Sequence, residues 1–225
     1  MKPLYSNQIN RAFTLIELLI VIAVFAIFFA LIDFGPPRSV KMKAQRIACV
    51  SNLKEMGMAF RLWAGDHDDK YPLSVVVTNG GAMEWFVPGK ASVWWQTMSN
   101  QLVSPRVLWC PADAKATPAS SFATGFGDTN ISYFVSLDAA ETYPQMIVTG
   151  DDNLLVNGRP VQPGILNLRP GTTLAWAKDR HGGVGNIGMA DGSAMQVASA
   201  GLSSATVLAT NGVPTNKVMN GWLIP

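Results

Sequence analysis

From Phe13 to Ile32 the chain runs through twenty residues that are apolar apart from Thr14 and Glu17. As an α-helix such a run extends about 30 Å, enough to span a bilayer. The following Asp33-Phe34-Gly35-Pro36-Pro37 is expected to break or kink the helix, because proline removes a backbone donor and clashes with the preceding turn. Helical periodicity resumes at residue 38 or 39. Met42, Arg46, Cys49, Leu53, Met56, Phe60 and Trp63 recur at alternating spacings of four and three, which places them on one helix face. Only Arg46 interrupts that face. Further on the pattern weakens: residues 74–78 read as a short strand, 94–102 as a short helix, and 105–113 as an extended segment entering a turn. Pro, Gly, Ser and Thr gather over 116–130, as in an exposed loop. The best β-signal comes late, with strands over 172–177, 186–190 and 193–197. Asp191-Gly192 between the last two predicts a type I′ hairpin, which needs φ > 0 at both central residues. Residues 202–210 suit a closing helix.

Charge and cysteine content narrow the picture. The 225 residues hold 17 basic and 15 acidic side chains, for a net charge of +2. Without residues 1–12, which carry Lys2 and Arg11, the two signs balance, so composition gives no argument for nucleic acid as a partner. Locally, Arg38, Lys41, Lys43, Arg46, Lys54 and Arg61 accompany only Glu55, a bias that runs against the positive-inside rule if this stretch lies outside. Cys49 and Cys110 suit one disulfide in an exported domain, with two free thiols as the alternative. Closing that loop would contribute about 4 kcal/mol through chain entropy. No C-x-x-C motif or Cys/His cluster in the sequence suggests structural zinc.

Glu17 sits one turn into the apolar run, where a carboxylate is costly to bury in lipid and marks a candidate functional site. A secretory signal peptide would be cut after its apolar region and would rarely enclose a Glu. A plain anchor explains the length but not Glu17. A basic leader, a small residue, then F-T-L-I-E and an unbroken apolar run resembles the class III signal of type IV pilins and of type II secretion pseudopilins. The resemblance implies cleavage by prepilin peptidase between Ala12 and Phe13 and N-methylation of Phe13. The residue most common before the cut in that family is Gly, where this chain has Ala12. Paired with a neighbouring subunit's Phe13 amine, Glu17 would offset both burial penalties and set the axial register.

The family resemblance implies an α+β fold, a long N-terminal helix, membrane-embedded in its first half, packed on a small antiparallel sheet with long loops. The expected division is a leader over 1–12, a transmembrane and polymerisation helix over 13–34, its amphipathic second half over 35–70, and a β-rich domain over 71–225. Residues 46–72, with Cys49, Asn52-Leu53-Lys54 and Tyr71-Pro72, resemble a pseudopilin-like subfamily. His181, nine residues ahead of Asp191-Gly192 with that number between them, resembles the H-x9-D-G signature of the same subfamily. It is read as a glycine-rich structural turn, with His181 bonded to backbone or to Asp191.

Other motifs fall to simpler readings. Gly183, Gly185 and Gly188 form G-x-G-x-x-G, but a hairpin follows where dinucleotide binding needs a helix. The His-Gly-Gly stretch lacks any G-x-S-x-G elbow elsewhere. Asp66, His67, Asp68 and Asp69 read as a solvated helix end rather than a metal site. Asp151, Asp152, Asp179 and Asp191 could offer oxygens to calcium, which some major pseudopilins bind, yet no loop has EF-hand spacing. No cofactor is therefore expected. Seven tryptophans read as core or loop anchors rather than an adhesive surface.

The expected function is structural and non-enzymatic. A subunit held in the inner membrane, N-terminus cytoplasmic and C-terminal domain periplasmic, polymerises into a pilus or pseudopilus. Its partners would be prepilin peptidase, other subunits, membrane lipid, and an inner-membrane platform with its ATPase, since the chain has no P-loop. The alternatives are a surface-binding minor pilin for adhesion or DNA uptake, and a membrane-anchored periplasmic enzyme using His181 and Asp191.

Overall fold

The computed structural model describes residues 13–33, 38–85, 90–168, 172–210 and 221–225. The chain divides into two units, residues 1–41 and 42–225. The first contains helix α1, Leu15–Asp33. The second helix, α2, Arg38–Gly65, starts just before the division and runs on into the larger unit. The helix break was expected over Asp33-Phe34-Gly35-Pro36-Pro37, of which residues 34–37 lie outside the described residues.

The larger unit is α+β. Short helices α3, Ala91–Gln96, and α4, Ser99–Leu102, precede strands β1, Tyr133–Ser136, and β2, Ile147–Asp151. Then come β3, Leu154–Val156, β4, Arg159–Pro160, β5, Gly164–Asn167, and β6, Leu174–Trp176. Strands β7, Val184–Met189, and β8, Ala194–Ala198, lead into α5, Ser199–Thr210, and the chain ends on β9, Gly221–Ile224. Six strands form an antiparallel sheet in the order β5-β9-β1-β2-β7-β8; β4-β3-β6 form a second, smaller one.

The predicted face of α2 is the buried one. Cys49, Leu53, Met56, Phe60 and Trp63 are all within a few per cent of full burial, and Arg46 is half-buried. Where α2 crosses β7 the fit depends on missing side chains. A Cβ on Gly188 would stand 3.1 Å from Thr149 Cγ2 and 3.6 Å from the Leu53 carbonyl oxygen. Phe60 collects Tyr71, Trp94 and Trp95 around it at centroid distances of 5.2–5.9 Å, and Phe134 stacks on Trp222 at 4.1 Å. Trp63, Trp94, Trp95, Trp176 and Trp222 are thus core, as the anchor reading expects.

Several expectations change. The strand over 74–78 is replaced by two 3-10 turns, Pro72–Ser74 and Val77–Asn79, the first opened by Pro72 and the second closed by Gly80 in the left-handed region. The helix over 94–102 is split into α3 and α4, because Thr97 turns its hydroxyl back onto the Trp94 carbonyl at 2.7 Å and competes with the helical ladder. Residues 105–108 form a 3-10 turn rather than an extended stretch, with Ser104 Oγ accepting from the Arg106 N–H. Strands β1, β2 and β9 had no periodic signal because they are buried on both faces, so apolar and polar positions do not alternate.

Candidate functional site

Two places in the chain carry groups whose chemistry exceeds packing. The first is the start of α1. Glu17 Oε2 accepts from the Thr14 N–H at 2.8 Å and from the Thr14 hydroxyl at 2.7 Å, while the Glu17 N–H donates to Thr14 Oγ1 at 3.3 Å. This reciprocal arrangement is a capping box, with Thr14 at the N-cap and Glu17 at the third helical position. Phe13 stands ahead of the helix and is 69% exposed; Ala12 lies outside the described residues. The large apolar side chains from Phe13 to Leu31 are all exposed, with no polar face to set against an apolar one. Among the described residues no helix is long and apolar enough to cross a membrane. Thr14 caps rather than joins the helix, so α1 runs over nineteen residues, about 28 Å, and ends on Asp33.

The second place is a buried polar centre where α2, the turn after residue 110, β2 and the loop into β7 meet. Cys49 and Cys110 form the expected disulfide, with Cα atoms 5.4 Å apart. His181 Nε2 lies 3.5 Å from Cys110 Sγ and 3.7 Å from Asp151 Oδ2, and both His181 and Asp151 are buried. Asp151 Oδ2 also accepts from the Asn186 N–H at 2.8 Å and from Asn186 Nδ2 at 3.0 Å. Beside this group Arg180, itself buried, pairs with Asp113 at 2.6 Å and with Asp152, and donates to the Ser132 carbonyl at 2.8 Å. The Ser132 hydroxyl donates to Asp113 Oδ2 at 2.8 Å.

Burial governs the ionisation of these groups. Desolvation pushes Asp151 up to about 7 against the pull of Arg180 and the Asn186 N–H. Asp152 is raised by the same cause to about 6, again opposed by Arg180. His181 moves the other way, down to about 4, because burial and the nearby Arg46 and Arg180 cations disfavour imidazolium. At neutral pH its ring is therefore uncharged.

The two halves of H-x9-D-G do not meet. His181 precedes β7 and Asp191 follows it, so a six-residue strand separates them by about 20 Å. Of the two partners expected for His181, backbone or Asp191, Asp191 is out of reach, and the ring lies instead against Cys110 and Asp151. Each end instead docks on α2. Arg46 Nη2 donates to the His181 carbonyl at 3.0 Å, and Arg61 Nη1 to the Asp191 carbonyl at 3.4 Å. The hairpin is not type I′ either. Gly192 has φ 84°, whereas Asp191 is not in the positive-φ region. The Gly192 N–H reaches the Met189 carbonyl at 3.0 Å and the Met189 N–H reaches Ser193 at 2.8 Å, which makes a three-residue loop ending in a left-handed glycine.

The carboxylates weighed for calcium are spread apart or already matched. Asp152 faces Arg180, Asp179 accepts from Asn153 at 3.1 Å and pairs with Lys115 at 3.5 Å, and Asp191 is at the hairpin turn. At the end of α2, Asp66, Asp68 and Asp69 are exposed and the His67 ring stacks on Trp63 at 3.5 Å, the solvated helix end that was expected.

Residues 8–32 match the family described as Prokaryotic N-terminal methylation motif. The chain carries the type IV pilin and pseudopilin signal. No curated protein and no solved structure matches the chain. The pilin signal therefore rests on the N-terminal match, which does not extend to the H-x9-D-G stretch.

Around the pilin signal, Thr14 was missed although T-x-x-E ahead of an apolar run is a capping-box pattern legible in the sequence. Asp113, Ser132 and Arg180 were missed for a different reason: nothing in their spacing announces that burial will join them. The Cys49–Cys110–His181 group is of the same kind. Sixty-one residues separate the cysteines and 71 separate Cys110 from His181, so the Cys/His cluster absent from the sequence pattern is assembled only by folding.

Proposed function

We propose that the chain is the precursor of a structural filament subunit, a pilin or pseudopilin, cleaved between Ala12 and Phe13 by prepilin peptidase and N-methylated at Phe13. The observation that carries this reading is the methylation motif over residues 8–32, set on an apolar helix with no polar face. The precursor is anchored at the inner membrane through the apolar run, with the disulfide-bearing domain on the periplasmic side, where such bonds persist. Mature subunits then polymerise through their N-terminal helices into a type II pseudopilus or a type IV pilus. An inner-membrane platform and an ATPase supplied by other chains drive that step.

The capping box adds a detail to the assembly role of Glu17. Its carboxylate satisfies the helix start in the isolated subunit, so it is held in place before a neighbouring Phe13 amine arrives. Pairing with that amine then needs little side-chain ordering.

The rival readings draw less support. An adhesive tryptophan surface is disfavoured because five of the seven tryptophans lie in the core. A joint His181–Asp191 catalytic site is disfavoured because the two flank opposite ends of β7. N-terminal mass analysis from cells with and without prepilin peptidase tests the proposal: a mature chain starting at methylated Phe13 is expected only with the peptidase. An intact Met1, or a cut beyond Ile32, in peptidase-positive cells overturns it.

A further inference from the structure

The centre around the disulfide holds more ligand chemistry than a disulfide needs. A cystine requires no hydrogen-bond partner, yet an imidazole nitrogen is buried against it. Cys49 Sγ, Cys110 Sγ and His181 Nε2 all lie within 4.8 Å of one another, and all three residues are buried. We infer that reduction of Cys49–Cys110 converts this centre into a site for a thiophilic divalent cation of the zinc type. Its ligands are the two thiolates and His181 Nε2, with the fourth tetrahedral position open to a water molecule. This inference stands apart from filament assembly.

Geometry supports it. With Zn–S near 2.3 Å and Zn–N near 2.0–2.1 Å, a tetrahedral site places sulfur and nitrogen about 3.5–3.6 Å apart. Cys110 Sγ and His181 Nε2 are 3.5 Å apart already. Cα atoms 5.4 Å apart allow the two sulfurs, once freed, to separate to the edge of about 3.8 Å that two thiolates on one zinc require.

A second observation points the same way. Asp151 Oδ1 is fully buried and has no hydrogen-bond partner, while Oδ2 is held by Asn186. A buried carboxylate with one orphan oxygen is costly unless something cationic engages it. Two thiolates around a dication leave no excess charge to offset.

The chemistry balances with a dithiol reductant as co-reactant. The Cys49–Cys110 S–S bond breaks, two S–H bonds form, and the reductant closes its own disulfide, supplying two electrons and two protons. Zinc then displaces both thiol protons and accepts the imidazole lone pair without changing oxidation state.

The test uses the full chain in detergent micelles, oxidised or reduced with a phosphine, incubated with zinc and desalted. Reduced protein is expected to retain about one zinc per chain, and disulfide-bonded protein none. Cobalt in its place is expected to give thiolate-to-metal charge-transfer absorption. His181→Ala should weaken zinc binding by at least about 10-fold, and a Cys49→Ser/Cys110→Ser chain should bind none. A folded, reduced chain that holds no zinc overturns the inference, as does equal retention by the oxidised chain or by the double serine variant. If reduction unfolds the domain, zinc is expected to restore its circular dichroism and raise its melting temperature, and failure to do so overturns the inference equally.

Discussion

Replacing Gly57 by Ala in the middle of α2 should destabilise the domain, against the usual effect of that change in a helix. In a solvent-facing helix Gly→Ala stabilises by about 1 kcal/mol, because alanine gives up less backbone entropy. Here an added Cβ would sit 3.0 Å from Gly192 Cα, 3.2 Å from its carbonyl oxygen and 3.3 Å from its carbonyl carbon. Those are backbone atoms of a turn held by its own hydrogen bond to Met189 and by Arg61, so they cannot swing aside as a side-chain end would. Overpacking of this kind costs about 1–3 kcal/mol. The net loss should be about 1 kcal/mol and at most about 2, or a fall of roughly 2–8 °C in melting temperature for a domain of this size. Gly65→Ala is the internal control: a Cβ there meets nothing within 4 Å, so its stability should hold or rise slightly. The assay is thermal unfolding of the mature chain in micelles, followed by the fluorescence of the buried tryptophans. If Gly57→Ala proves as stable as Gly65→Ala with an unchanged near-ultraviolet spectrum, α2 is not seated on the β7–β8 turn and the account of the H-x9-D-G stretch as a docking element fails.

Glu17→Gln should separate the two roles of that residue: Gln keeps the capping box but not the charge, so filament assembly should drop while the helix start stays intact, whereas Glu17→Ala also loses the capping bonds to Thr14. Normal filament output from Glu17→Gln would refute charge pairing with Phe13. Asp151 has its folded pKa raised to about 7, so its contribution to stability is complete below the ordinary carboxylate range and is lost as pH rises from about 4 to 7; Asp151→Asn should flatten urea stability across that window. His181 is lowered to about 4 and acts in the opposite direction: its contribution is present above about 6.5 and is lost as pH falls to about 4, so His181→Ala should soften acid unfolding. The half-cystines should resist alkylation in exported, non-reduced protein, and Cys49→Ala/Cys110→Ala should cost about 4 kcal/mol in chemical denaturation; rapid labelling of native protein would refute the bond.

What the sequence determined by itself is local. The methylation motif, the apolar run and Glu17 need only neighbours within a few residues, so they could be read directly and the N-terminal match agrees with them. The buried face of α2 was legible for the same reason, because a helix repeats its environment every three or four positions. The β7–β8 hairpin was placed correctly, since a turn glycine between two strands is a short-range signal, but its turn type was not: Asp191 keeps a negative φ because the loop has three residues rather than two.

What only the tertiary structure decided is long-range. The last strand, β9, is inserted between β5 and β1, far from either in the chain, and its burial on both faces erases the alternation that would have announced it. The seating of the H-x9-D-G stretch on α2 is also long-range: Arg46 and Arg61 each reach a carbonyl at one end of β7, and Gly57 meets Gly192 with no side chain between them. The polar centre is the clearest case. Cys49, Cys110, Asp151, Arg180 and His181 come from separate segments, and desolvation, which no spacing encodes, is what turns them into one electrostatic unit.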